Sequence, residues 1–295
     1  MPADSVHLNG RIVPAGQAAV SVFDAALMHG ASVFTTMLAR NGTVFRLDRH
    51  LARLMETAAR MNLRTEATAD GLASATRELL EANGLKEARL RITLSPGSTH
   101  GEEDSATTTL ITADPLAGNP SRWYNHGIRV IVSSFRQFRG DPLGGFKTGC
   151  YLPRVLARRE AAAKGAEESI WYTQDNCLAE ACFCNVFLVL GGKVLTPPLE
   201  TPVLAGIVRQ AVLELCATLG VDCDERTSLT IHQMLAAEEM FLTSSISGIR
   251  SVIAVEKHDV GDGKPGPLTQ RLMASYEELL NKECGQAGGM QGAER

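Results

Sequence analysis

The stretch GGFKTGCYLPRVLARREAAAKG, residues 144–165, decides how the chain is read. Its second half predicts an amphipathic helix over 152–164, and directly ahead of that helix one lysine, Lys147, stands among glycines. Glycines let backbone come close to a ligand, and here they leave Lys147 at the edge of a strand or loop. A lysine becomes a nucleophile only where desolvation or a neighbouring cation lowers its pKa. The alternative is a solvated surface lysine, which is what most lysines are.

Downstream, NCLAEACFCNVFLV (176–189) places Glu180 among small and apolar residues, between a turn at Asp175-Asn176 and a strong strand. Such a carboxylate is either paired in a core or serves a site. A pyridoxal phosphate ring would use it, because an acidic partner keeps the pyridine nitrogen protonated. Next, TPPLETPVLAGIVRQAVLELCATLG (196–220) predicts a helix opened by Gly206, with Val208, Val212, Leu215 and Leu219 on its apolar face. Free N–H groups at a helix start bind phosphate readily, although an ordinary loop-to-helix junction reads the same way. In FLTSSISG (241–248), Ser244, Ser245 and Ser247 are either phosphate donors or turn caps.

Upstream, VHLNGRIV (6–13) and VFTTMLARNGTVFRL (33–47) each carry Asn-Gly between extended runs and predict two hairpins. Asp48 is the expected N-cap of a helix with Leu51, Leu54, Met55 and Ala58 at helical spacing, and a second helix covers 69–83. ARLRITLS (88–95) alternates as a strand, with SATTTLITA (105–113) its expected partner. Residues 1–114 thus form an α+β lobe. DPLAGNPSRW, with two prolines and no periodicity, sets a linker at 115–124. A larger second lobe covers 125–284, with strands near 127–134, 169–174, 185–192 and 239–245, and residues 285–295 make a small, polar tail.

Composition narrows the classes. With 29 Lys+Arg against 33 Asp+Glu and no dense basic run, nothing marks a nucleic-acid partner. No apolar run approaches the roughly 18 residues of a membrane span, and the N-terminus lacks a basic and apolar leader, so the expected location is the cytoplasm. The seven cysteines show no CxxC pairing, and the Cys182-x-Cys184 pair alone is a weak metal motif, so no metal is expected.

Taken in order, FKTGCYLPRVLARREAAAKG, AEACFCNVFLVLGGKVLTPPL, LAGIVRQAV and AAEEMFLTSSISGI resemble the class IV aminotransferases, the fold type IV pyridoxal-phosphate enzymes. That family includes branched-chain and D-amino-acid aminotransferases and 4-amino-4-deoxychorismate lyase. HGASVFTTMLARNGTVFRLDRHLARL resembles its first block, so the likeness runs from about residue 6 to 272. It implies a two-lobed α+β fold with a small N-terminal lobe and a larger pseudo-barrel lobe, and a homodimer with the site near the interface. It implies that Lys147 forms the Schiff base and that, once freed, its amine moves the substrate Cα proton. Glu180 then pairs with the pyridine nitrogen and Tyr151 with the phenolic oxygen. Arg53, Gly206, the Ile207 and Val208 amides, Ser244 and Ser245 hold the phosphate. Phe34, Thr35, Arg89, Arg91 and Ile246 fall at substrate positions, for an amino donor and a 2-oxo acid.

The chain departs from the pattern at Thr35, where aminotransferases of the family usually carry glutamate and some deoxychorismate lyases carry the same FTT. Pro96 stands where the D-amino-acid enzymes' arginine and histidine signature begins. Arg89 and Arg91 share one strand face. The resemblance aligns Arg91 with an arginine that meets a second substrate carboxylate, which suits a guanidinium fork. For both arginines a solvated or salt-bridged strand face is the other reading. The expected reaction is amino transfer between an amino acid or amine and a 2-oxo acid; the alternative is the lyase that releases pyruvate and 4-aminobenzoate.

Overall fold

The computed structural model describes residues 4–99, 106–116, 118 and 121–285. The tail beyond 285, parts of the 115–124 linker and positions 100–105 lie outside the described residues. The chain divides into two compact units. The first comprises Met1–Ala117, Lys147–Cys150 and Glu278–Arg295, and the second Gly118–Phe146 and Tyr151–Glu277.

In the first unit, β1 (Ser5–Leu8) and β2 (Arg11–Pro14) form a hairpin, followed by α1 (Ala25–His29), β3 (Val33–Arg40), β4 (Thr43–Val44), α2 (Leu47–Arg60), α3 (Ala69–Ala82), β5 (Ala88–Ser95) and β6 (Thr108–Pro115). Both expected hairpins are present. Asn9-Gly10 and Asn41-Gly42 all have positive φ, the backbone that matches strand twist in a two-residue turn. The strands order β2-β1-β6-β5-β3-β4, antiparallel throughout. Period-two alternation sends Val33, Met37, Leu90, Ile92 and Leu94 to one face, where they pack with Leu51, Leu54 and Ala58 of α2 and Leu72, Ala75 and Leu79 of α3. Each such fully buried leucine contributes about 2 kcal/mol. One expectation shifts: α2 begins at Leu47 after Arg46 in left-handed backbone, so Asp48 is not the cap. It lies in the first turn, where its charge still favours the helix's positive end.

The second unit contains α4 (Arg122–Asn125), β7 (Ile128–Gln137), α5 (Leu152–Ala163), β8 (Glu168–Thr173), β9 (Leu178–Ala181), β10 (Asn185–Leu190), β11 (Lys193–Leu195), α6 (Ile207–Leu219), β12 (Cys223–Asp224), α7 (Ile231–Leu235), β13 (Glu239–Ser244), β14 (Gly248–Val255) and β15 (His258–Asp259). Helix α8 (Pro267–Cys284) runs on into the residues grouped with the first unit. The sheet orders β12-β11-β10-β13-β14-β7-β8-β9, and β15 pairs β14 where β13 has ended. Parallel pairs β14/β7 and β7/β8 sit among antiparallel ones. Strands β8, β9, β10 and β13 are buried almost throughout, and the VFLVL of β10 reads as a continuous apolar run. Among the described residues no helix is long and apolar enough to cross a membrane.

Candidate active site

In the first unit the lysine segment lies along β3. Phe34 N donates to Lys147 O at 2.9 Å, Gly149 N donates to Ser32 O at 2.7 Å, and Val33 and Thr148 form a bridge. A side chain at Gly149 would meet Ser32 Oγ at 2.4 Å and Gly30 O at 2.7 Å, so close backbone approach demands the glycine. The Lys147 Nζ lies 4.7 Å from the centre of the Phe34 ring, and the Arg91 guanidinium 3.5 Å from the same centre. One aromatic ring thus gathers two cations. Arg91 is further fixed by Nε donating to Thr93 Oγ1 at 3.1 Å. Arg89, two residues back on that strand face, is exposed.

Thr35 has the opposite parity and faces α2. Its hydroxyl is 2.8 Å from His50 Nδ1 and accepts from Arg53 Nη2 at 3.2 Å. Arginine only donates, so the single Thr35 proton remains available to the imidazole. His50 is 1% exposed. Burial, then the charges of Arg53 and Lys147, hold its pKa well below the usual histidine value, and the ring is neutral. Threonine in place of a carboxylate makes physical sense beside a neutral imidazole.

In the second unit Tyr151 directly precedes α5 and stacks on Phe183, with ring centres 5.8 Å apart. Glu180 sits on β9 and is 7% exposed. Its Oε1 accepts from Arg154 Nη2 at 2.5 Å and Gln137 Nε2 at 3.4 Å; its Oε2 accepts from Leu204 N at 3.0 Å. The Leu204 carbonyl accepts from Asn185 Nδ2 at 2.8 Å. Both backbone groups of Leu204 are therefore held by side chains, two residues before Gly206 starts α6. Gly206 has φ −71°, which any residue adopts, and no side chain caps the helix. The glycine is needed for space, because a Cβ there would lie 2.0 Å from Asn185 Oδ1. Ile207 and Val208 follow, both buried. Ser244 Oγ is 2.7 Å from Ser247 Oγ, Tyr124 OH donates to Ser247 O at 3.2 Å, and Ser245 and Ile246 lie half-buried in the turn to β14.

These residues fit pyridoxal phosphate. A buried carboxylate with lone pairs to spare suits a protonated ring nitrogen, and an uncapped helix start after a crowded glycine suits phosphate. The buried hydroxyls of Thr201 and Thr243 also lack partners. Sequence reasoning missed His50, Gln137, Arg154, Phe183 and Asn185. Only Arg154 left a trace, three residues after Tyr151 at helical spacing.

The buried carboxylate and the helix start of the second unit are what an enzyme working through a pyridine cofactor needs. Residues 32–255 match the amino-transferase class IV family, and the chain belongs to that family. It is 27% identical over 282 residues to the D-alanine aminotransferase of Bacillus licheniformis, covering 94% of this chain and 98% of the relative. The crystal structure of Escherichia coli branched-chain amino acid aminotransferase superposes with a TM-score of 0.90 at 28% identity over 98% of both chains. The T.th. branched-chain amino acid aminotransferase, solved with pyridoxamine 5'-phosphate, gives 0.89 at 26%, over 97% of this chain and 96% of that one. The protein is a pyridoxal-phosphate-dependent class IV aminotransferase with the two-sheet α+β fold expected from its sequence.

Proposed function

We propose that Lys147 carries the cofactor as a Schiff base and that the enzyme transfers the amino group of an amino acid to a 2-oxo acid. The observation that carries this reading is the chain of contacts from Glu180 through Leu204 and Asn185 to Gly206, which fixes a proton-holding carboxylate relative to a phosphate-binding helix start. When bound, the cofactor supplies an electron sink for the substrate Cα. Glu180 keeps a proton at the ring nitrogen, and Tyr151, steadied by Phe183, donates to the phenolic oxygen. The Ile207 and Val208 amides, Ser244 and Ser245 donate to the phosphate, and Arg53 offsets its charge. Lys147 Nζ takes the Cα proton and holds it until it is returned. Phe34 presents Arg91 to a substrate carboxylate; Ile246 is a wall of that pocket, and exposed Arg89 steers anions toward it.

Spectra of the purified protein with a panel of L- and D-amino acids and amines test the reading. Loss of the visible cofactor band with one donor, recovery with a 2-oxo acid, and neither change in Lys147→Ala are expected. A band that no donor alters, or 4-aminobenzoate released from aminodeoxychorismate, would overturn it.

We also infer a homodimer located in the cytoplasm. Val20, Val22, Phe23, Leu27 and Met28 of one short segment are 44–70% exposed, which marks a surface that another chain covers. All seven cysteines are free, as a reducing compartment keeps them. Light scattering that reports a monomer at micromolar concentration would remove the first inference, and recovery in a secreted fraction the second.

A further inference from the structure

The Glu180 carboxylate is not left to the ring nitrogen alone. Arg154, on the first turns of α5, reaches it with Nη2 at 2.5 Å, while Nη1 donates to Ala181 O at 2.8 Å. The guanidinium also lies 4.5 Å from the Trp171 ring centre. Three separate contacts thus fix a side chain that is 17% exposed. Arg158, one turn further along α5, pairs instead with Glu168 at 3.7 Å, so the two arginines serve different carboxylates. Burial works against the Arg154 charge, but Glu180 and, after it, Tyr151 more than offset this, and its pKa is raised. Cys182 is a further titratable neighbour, and burial pushes its thiol far up and keeps it neutral.

We propose that Arg154 is a positioning residue that sets the charge felt at the cofactor's ring nitrogen by sharing the Glu180 carboxylate. A cation on one oxygen of a carboxylate weakens the hold of that carboxylate on a positive charge opposite it. The pair Arg154–Glu180 is neutral as a whole, so the ring nitrogen meets an oriented acceptor rather than a full negative charge. Arg154 therefore makes the electron sink milder than Glu180 by itself would. This inference rests on the assignment of Glu180 to the ring nitrogen given above.

The test is the pH midpoint of the visible absorbance of the protein loaded with pyridoxal 5'-phosphate. Arg154→Gln keeps a donor for Glu180 and removes the charge; its midpoint should rise by about one pH unit, the usual effect of one nearby charge. Arg154→Lys keeps the charge, and its midpoint should stay at the wild-type value. A Gln variant with an unmoved midpoint, or a Lys variant that moves as far as Gln is expected to, would each overturn the proposal, so failure of one variant to fold leaves the other decisive. Glu180→Gln separates the two readings. If it leaves the band unchanged, the assignment of Glu180 itself fails; if it changes the band while Arg154→Gln does not, only the role of Arg154 fails.

Discussion

Gly206→Ala isolates the geometry ahead of α6. The backbone at Gly206 accepts alanine without strain, so the whole cost comes from the methyl group lying 2.0 Å from Asn185 Oδ1. Asn185 must swing away and give up its 2.8 Å bond to Leu204 O. That bond is worth about 1 kcal/mol, and leaving its buried groups unpaired adds roughly 1–2 kcal/mol. If the cost falls on the bound state, a total near 2 kcal/mol weakens pyridoxal phosphate binding about thirtyfold. Asn185→Ala alone loses the same bond and should cost about as much. The decisive measurement is the double variant, with cofactor affinity read by equilibrium dialysis. Because Asn185→Ala has already vacated the space, Gly206→Ala should add only about 0.5 kcal/mol, most of it from Arg209 Cβ at 3.3 Å. Additive losses in the double variant would show that the clash with Asn185 is not why glycine stands there.

Glu180→Gln should lower turnover by about a hundredfold or more and cost roughly 3 kcal/mol in stability, because it leaves the buried Arg154 charge without its partner; steady-state kinetics and urea melts check this. His50 is neutral when folded, while the unfolded chain takes up a proton near its ordinary value of 6.5. More protons bind the unfolded state below that value, so stability should fall as pH drops from 6.5 to 5, by about 1.4 kcal/mol per unit from this group. His50→Gln should flatten that slope in urea melts, and an unchanged slope would refute the buried neutral ring. Arg91→Met should raise KM for a dicarboxylic donor about tenfold or more and leave alanine almost unaffected, since one charge-assisted contact is lost; equal effects on both donors would count against it.

The sheet and helix elements nearest the site were legible because each carries a strong local pattern. Both Asn-Gly turns, the strand 88–95 with its alternating Leu90, Ile92 and Leu94, and the helices opened near 152 and 207 appear where the sequence puts them. Several strands of the second sheet were not legible. The four residues of β9 and the three of β11 are too few to show a period, and β14 follows β13 after a turn with no Asn-Gly or Asp-Gly. The Lys147 segment has no period at all, and its position depends on pairing with Ser32 and Phe34, more than a hundred residues earlier in the chain. The residues proposed to touch chemistry directly came from motif resemblance. Those that hold them, His50, Gln137 and Asn185, are ordinary polar residues whose value comes only from long-range contacts.

The way Glu180 is held bears on how tolerant this enzyme is to change. Its two oxygens are tied to α5 through Arg154, to the end of β7 through Gln137, and to the loop before α6 through Leu204. Moving any one of these elements therefore moves the carboxylate, and the carboxylate in turn moves the loop before α6 through Leu204. An arginine at 154 makes the arrangement stiffer than a neutral residue would, since its charge-assisted bonds resist displacement more strongly. Arg91, proposed above to meet a substrate carboxylate, belongs to a different set of contacts, Phe34 and Thr93 of the first unit. Substitutions that retune donor choice at Arg91 should therefore leave the cofactor's spectrum unchanged, whereas substitutions at Arg154 should change the spectrum before they change donor choice.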